Sequence, residues 1–185
     1  MKIDIICPLY QAEPYIEKLH QSLLKQKNVK IDKIQYVLTK CSDKTEEILR
    51  KNKLNYSVID KKDFSHSLVR EKAALKSKAD IICFISQDII IDNVNWLEKL
   101  VKPIINDEAV ATYSRQLTKF NNIEKYTREK NYPDKSTIKT KEDTDKLGLK
   151  TFFFSDASSA VRTDIFKKLN GYDGKNLPIN EDMYL

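Results

Sequence analysis

A chain of 185 residues, 41% apolar and 32% charged, has room for one hydrophobic core, and its 33 Lys and Arg against 27 Asp and Glu (net +6) favour an anionic partner such as a nucleic acid, an acidic membrane surface or a sugar diphosphate. Its three glycines exclude a G-x-G-x-x-G or Walker loop, and two histidines, His20 and His66, exclude a histidine-rich zinc site. Cys7, Cys41 and Cys83 form no C-x-x-C pair or disulfide framework, and with no signal peptide and no apolar run near the roughly 18 residues of a membrane span, the expected location is cytoplasmic, with any membrane contact peripheral and at the inner face.

Ile3 to Cys7 is a short, nearly continuous apolar run stopped by Pro8, and it reads as a buried parallel strand. Over 13–27, Ile16, Leu19, Leu23 and Leu24 share one helical face. Strands are expected over 34–38 and 56–59, with a helix over 44–53 between them, capped by Ser42-Asp43 and carrying Glu46 and Glu47 in its first turn. Residues 65–76 read as a helix that turns Leu68, Ala73 and Leu75 inward. The run Ile81-Ile82-Cys83-Phe84-Ile85 within 80–86 is the strongest strand signal in the chain. An amphipathic helix over 93–105 and a strand over 109–113 follow. From 118 to 150 the pattern dissolves into Lys, Asn, Asp and Thr, as a mobile loop, an irregular helical excursion or a disordered insertion would. Order resumes at Thr151-Phe152-Phe153-Phe154, then a helix over 163–169 and a turn at Gly171-Tyr172-Asp173-Gly174.

Alternating strands and helices predict an α/β fold with a mostly parallel sheet flanked by helices. Ligands of such sheets bind beyond the carboxyl ends of the strands. Pro8, residues 38–43 and Ser86-Gln87-Asp88 all lie at such ends. A carboxylate there can hold Mg²⁺ or Mn²⁺, which keep waters and phosphate oxygens in their shell and need few protein ligands. Gln87 offers a neutral carbonyl oxygen or an amide donor. By itself Asp88 is as readily a turn former, Glu181-Asp182 a solvated pair, Pro8 a strand end, Arg70 a surface residue and Asp43 a helix cap. Scattered lysines without a basic, aromatic-rich surface argue against nucleic acid as partner.

The ordered series is more specific than its parts. Cys7-Pro8-Leu9-Tyr10-Gln11, Thr39-Lys40-Cys41-Ser42-Asp43-Lys44-Thr45, the segment 64–70 ending in Arg70, Ser86-Gln87-Asp88, the run 154–162 and Glu181-Asp182 follow one another. Together they resemble the motif series of family 2 glycosyltransferases, most of all its bacterial rhamnosyltransferases. The resemblance implies a GT-A (Rossmann-like) fold and inverting transfer from a nucleotide-diphosphate sugar, rhamnose being one candidate. The acceptor would be a hydroxyl of a cell-surface polysaccharide or lipid-linked saccharide. It implies that Pro8, Leu9, Tyr10, Thr39, Asp43, Arg70, Gln87 and Asp88 bind the nucleotide sugar. Asp88 would be the ligand of a divalent metal, Asp182 the catalytic base and Glu181 its neighbour.

On this reading 1–185 is a single catalytic domain. It comprises a nucleotide-sugar-binding half (1–114), a variable loop (115–150) and an incomplete acceptor-side half (151–185), shortened before the family's acceptor elements. Leu38 and Thr39 stand where the family carries aspartates, and Lys40 replaces a glycine and is placed to meet a phosphate. A nucleotide-sugar-binding module without turnover is the alternative.

Overall fold

The computed structural model describes residues 1–177 and 179–184. Six strands form one sheet in the order β3-β2-β1-β4-β6-β5. In chain order they are β1 (Lys2–Leu9), β2 (Lys30–Thr39), β3 (Tyr56–Ile59), β4 (Ile81–Ile85), β5 (Ala111–Tyr113) and β6 (Ser158–Arg162). β1 pairs in parallel with β2 and β4, and β2 with β3. β6 runs antiparallel to both of its neighbours. The sheet is thus mostly parallel, as the alternation of elements predicts.

Helices α1 (Ile16–Leu24), α2 (Thr45–Lys51), α3 (His66–Leu75), α4 (Trp96–Ile105), α5 (Ile123–Asn131), α6 (Thr144–Leu147) and α7 (Thr163–Lys168) complete the fold. Because side chains alternate across a strand, each central strand feeds two cores. Ile3, Ile5, Cys7 and Leu9 of β1, with Ile81, Cys83 and Ile85 of β4, pack with Leu19 and Leu23 of α1 and Leu97 and Leu100 of α4. Ile6, Val37, Ile82 and Phe84 face the other way, against Val69 and Ala73 of α3 and Phe166 of α7. Burial on both faces explains why β4 is continuously apolar and has no polar face. Cys7 and Cys83 are buried free thiols, and Cys41 is half-buried and free.

The strand after the insertion is Ser158–Arg162, just beyond the Phe run at which order resumes, and residues 148–152 form a 3₁₀ turn. Serines at the start of β6 hide it from an apolar pattern. They are buried because their hydroxyls are paired: Ser159 donates to Asp156 Oδ1 at 2.9 Å, and Ser158 bonds Ser114. Within 118–150 the chain takes the helical alternative, forming α5 with Asn122 as its N-cap, donated to by Glu124 N–H, and the short α6.

Candidate active site at the carboxyl edge of the sheet

The carboxyl ends of β1, β2 and β4 lie along one edge, and the antiparallel β6 brings its amino end there, Ile85 facing Ser158. The loop after β4 therefore meets residues 155–157, and Ser86 N–H donates to Ala157 O at 3.0 Å.

Side chain to backbone bonds fix the first two loops. Gln87 makes a reciprocal pair with Tyr10, its Oε1 accepting from Tyr10 N–H at 2.8 Å and its Nε2 donating to Tyr10 O at 2.9 Å. Both functions of its amide are thereby used in setting the β1 loop. Tyr10 itself is exposed, with Lys61 Nζ 5.4 Å from its ring centre. Asp43 joins loop to loop: Oδ2 accepts from Thr45 Oγ1 at 2.7 Å and from Glu13 N–H at 3.1 Å, and Oδ1 from Cys41 Sγ at 3.0 Å and Thr45 N–H at 3.3 Å. Glu13 accepts in return from Lys44 N–H. Partial burial raises the Asp43 pKa, but the hydrogen bonds from Cys41, Thr45 and Glu13 outweigh it and hold the carboxyl below its ordinary value. The formal N-cap of α2, Lys44, makes no side-chain cap bond, so Asp43 satisfies the helix start from one residue further out.

Pro8 is half-buried at the end of β1. Leu9 and Thr39 point inward, at 1% and 2% exposure; Leu9 packs into the core, and Thr39 Oγ1 has no hydrogen-bond partner among the described residues. Lys40, expected to meet a phosphate, pairs with Asp60 at 2.7 Å. Asp88 is exposed and makes no hydrogen bond among the described residues. No group of three or more His, Cys, Asp or Glu among the described residues could hold a metal ion.

The other side of the site is built from α3. Ser65 caps this helix, accepting from Leu68 N–H, and exposed His66 sits edge-on against Phe64. Arg70 is buried and donates from Nη1 to His66 O at 3.0 Å and to Glu181 Oε1 at 3.1 Å. Both side chains of this ion pair are largely out of solvent. The neighbouring Glu71, buried too, accepts through Oε2 from Tyr172 N–H at 2.6 Å and Gly174 N–H at 3.2 Å. Ser67 accepts from Leu177 N–H and donates to Lys175 O. One helix face thus docks the segment that carries Glu181 and Asp182.

Asp156 completes this side. It is fully buried, accepts from Ser159 Oγ and Tyr172 Oη, and gives its backbone N–H to Asp182 Oδ2 at 3.4 Å. Burial raises its pKa, and Arg70 and the two hydroxyls oppose the rise. Asp182 is half-buried; burial first, then the charge of Glu181, raise its pKa above the ordinary carboxylate value. The structure therefore unites Arg70 with Glu181, and Asp182 with Asp156. Glu71, Ser67 and Tyr172 were not singled out as site residues from sequence. A carboxylate inside the apolar face of α3 is the one local signal that marks Glu71.

A sheet of this order, with its functional loops at one edge, is the GT-A fold. S. aureus TarS (residues 1–349) superposes on 99% of this chain and 53% of its own with a TM-score of 0.70 at 21% identity. A mannosyltransferase from Pyrobaculum calidifontis, solved with GDP-Man and Mn²⁺, covers 91% of this chain and 46% of its own, with a TM-score of 0.61 at 15% identity. Glycosyl transferase family 2 matches residues 4–170, and the chain belongs to that family. The O-antigen chain rhamnosyltransferase RfbN of Salmonella typhimurium is 33% identical over 190 residues, covering 100% of this chain and 60% of its own length. WbaN, an O-antigen chain rhamnosyltransferase of Salmonella anatum, is 34% identical over 148 residues, covering 78% of this chain and 46% of its own. The chain thus spans about 60% of the length of RfbN. No described helix is long and apolar enough to cross a membrane.

Proposed function

We infer that the protein transfers a sugar, with rhamnose the first candidate, from a nucleotide-diphosphate donor to a hydroxyl of a saccharide or lipid-linked acceptor, with inversion at the anomeric carbon. The observation that carries this is the division of labour within Glu181-Asp182. Glu181 is paired with Arg70 at 3.1 Å, which leaves Asp182 as the carboxylate of the two outside that ion pair, with raised proton affinity at the rim. A general base works best when its pKa lies near the operating pH, and an upward shift moves Asp182 in that direction. Asp182 takes the proton of the acceptor hydroxyl as the oxygen attacks the anomeric carbon. The bond to the nucleoside diphosphate breaks on the opposite face, and the diphosphate leaves with the electron pair.

The donor lies along the β1, β2 and β4 loops, with Pro8, exposed Tyr10 and the Asp43 loop on the nucleoside side. Leu9, Thr39 and Gln87 support these loops from within. Buried Arg70 acts on the site through Glu181. Residues 1–114 form the donor half, 115–150 the variable segment and 151–185 the acceptor side.

Asp88 fits a Mg²⁺ or Mn²⁺ site of the single-carboxylate kind: it is exposed, is committed to no other group among the described residues, and lies beyond the end of β4. When bound, the cation would supply electrostatic stabilisation of the diphosphate. The protein works in the cytoplasm, with any membrane contact peripheral.

The second reading is donor binding without turnover. Thermal shift with UDP, dTDP and GDP, with and without Mn²⁺, followed by a donor-turnover assay, separates the two. A cation-dependent rise in Tm that Asp88→Asn abolishes, together with turnover, supports the transferase. A rise without turnover supports the binding module. No shift with any nucleotide overturns both.

A further inference from the structure

A groove of about 260 Å³ runs between α5 and the docked segment, with Asp182 in its wall. Its apolar side is built from Tyr132, Phe153 and Phe154. Tyr113 stands edge-to-face to all three, at 6.1, 5.6 and 5.5 Å between ring centres, and Tyr132 stands so to Phe153 at 5.4 Å. Lys139 pins this wall: its Nζ donates to Lys150 O at 3.0 Å and Phe153 O at 2.7 Å and lies 5.3 Å from the Tyr113 ring centre. The polar side offers the amides of Asn131 and Asn180, neither of which has a side-chain hydrogen bond among the described residues.

Fixed aromatic faces with a few convergent, uncommitted polar groups are the chemistry of a small-molecule site. A pyranose is built to match it, with C–H bonds on its faces and hydroxyls around its edge. The one carboxylate argued to accept a proton lies in the same wall. We propose that this groove seats the acceptor, a pyranoside whose ring lies against Phe153 and Phe154, is held through hydroxyls by Asn131 and Asn180, and turns one hydroxyl to Asp182. The inference rests on the transferase reading and adds to it that the variable segment, through Asn131 and Tyr132, selects the acceptor. The pinned aromatic wall lowers the ordering cost of binding.

Saturation-transfer NMR on the full chain, with methyl glucoside, galactoside, mannoside and rhamnoside at millimolar concentration, tests it. Saturation of the aromatic protons is expected to pass to the ring protons of at least one pyranoside. Affinity for that pyranoside falls about fivefold in Asn131→Ala and in Phe154→Leu, the scale of one lost hydrogen bond or apolar contact. Asn131 is half-exposed near the end of α5, so its variant reports even where the Phe154 variant loses its fold. Gln21→Ala, in the separate cavity beside α1, leaves the signal unchanged. No transfer to any of the four sugars, transfer indifferent to Asn131→Ala, or transfer lost in Gln21→Ala overturns the groove assignment. Nucleotide-dependent thermal shift is read in parallel. Its failure overturns the transferase reading, whereas nucleotide binding with no sugar in the groove overturns only this inference.

Discussion

The two sides of the candidate site are held by different forces. On the proposed donor side, Tyr10, Gln87, Asp43 and Glu13 are joined by side chain to backbone hydrogen bonds between loops that the strands have already brought together. On the proposed acceptor side, the carboxylates depend on buried charge. Arg70 meets Glu181, 111 residues further along, and Glu71 meets the N–H groups of Tyr172 and Gly174. A loop fixed by exposed hydrogen bonds loses little when one is removed, whereas a buried charge left alone is costly. The acceptor side is therefore the fragile half, and substitutions there should have the larger effects.

The largest effect is expected at Asp182. Asp182→Asn keeps the size of the side chain and removes the proposed base, so transfer should fall by about 10²–10⁴-fold with donor affinity unchanged. Equal transfer in parent and variant would place the base elsewhere. The same variant carries a stability signature. The folded pKa of Asp182 is raised, so the folded state binds its proton more tightly than the unfolded chain does. Relative to the protonated form, the ionised carboxylate destabilises the fold above both pKa values, and this cost disappears as pH falls below the unfolded value. Asp182→Asn is thus expected to unfold at a higher temperature than the parent at neutral pH, and the difference should close in acid. By the same titration, parent transfer should fall as pH drops through the raised pKa.

Arg70→Met comes next. It leaves Glu181 buried without its partner, a loss of about 3–5 kcal/mol measurable by urea unfolding. Arg70→Met combined with Glu181→Leu should recover most of it, since the charge then goes with its partner. A single variant as stable as the parent would show that the pair does not hold the segment.

These same residues show where sequence reasoning reaches its limit. β1 and β4 announce themselves through Ile3–Cys7, interrupted by Asp4, and Ile81–Ile85, because burial on both faces demands nearly continuous apolar runs. The order of Tyr10, Asp43, Arg70, Asp88 and Asp182 is legible because each sits next to a local signal: a strand end, a helix start or an acidic pair. The partners of Arg70 and Glu71 are not legible, since contacts across more than 100 residues leave no period in the chain. β6 escapes for a related reason, its serines being buried through bonds to Ser114 and Asp156 rather than through apolarity.

Gly171→Ala probes the fragile half at a smaller scale. Gly171 has φ +60°, and an added Cβ would lie 2.9 Å from Glu71 Cγ and Oε2 and 2.9 Å from a Phe166 ring carbon. Strain and displacement of Glu71 together should cost about 1–3 kcal/mol and loosen the Tyr172 turn. Thermal unfolding reads the cost, and hydrogen exchange at Tyr172 and Gly174 reads whether Glu71 has let go. Protection unchanged at both amides would mean that the clash is absorbed by Phe166 instead.

The smallest effect belongs to the donor side. Asp43→Ala removes one carboxylate that serves Cys41, Thr45 and Glu13, and the expected loss is about 1 kcal/mol, the scale of a helix cap. Its pKa is depressed in the fold, so its contribution is present above the unfolded value, ordinarily 3.8, and is lost as pH falls through the folded one. The parent and Asp43→Ala should therefore differ at neutral pH and converge in strong acid. Asp182→Asn also converges with its parent in acid, but from the opposite sign: the donor-side carboxylate stabilises the fold when ionised, and the proposed base destabilises it. A loss at Asp43 as large as that at Arg70 would break the distinction between the two sides, because the loop would then be held by buried charge as well.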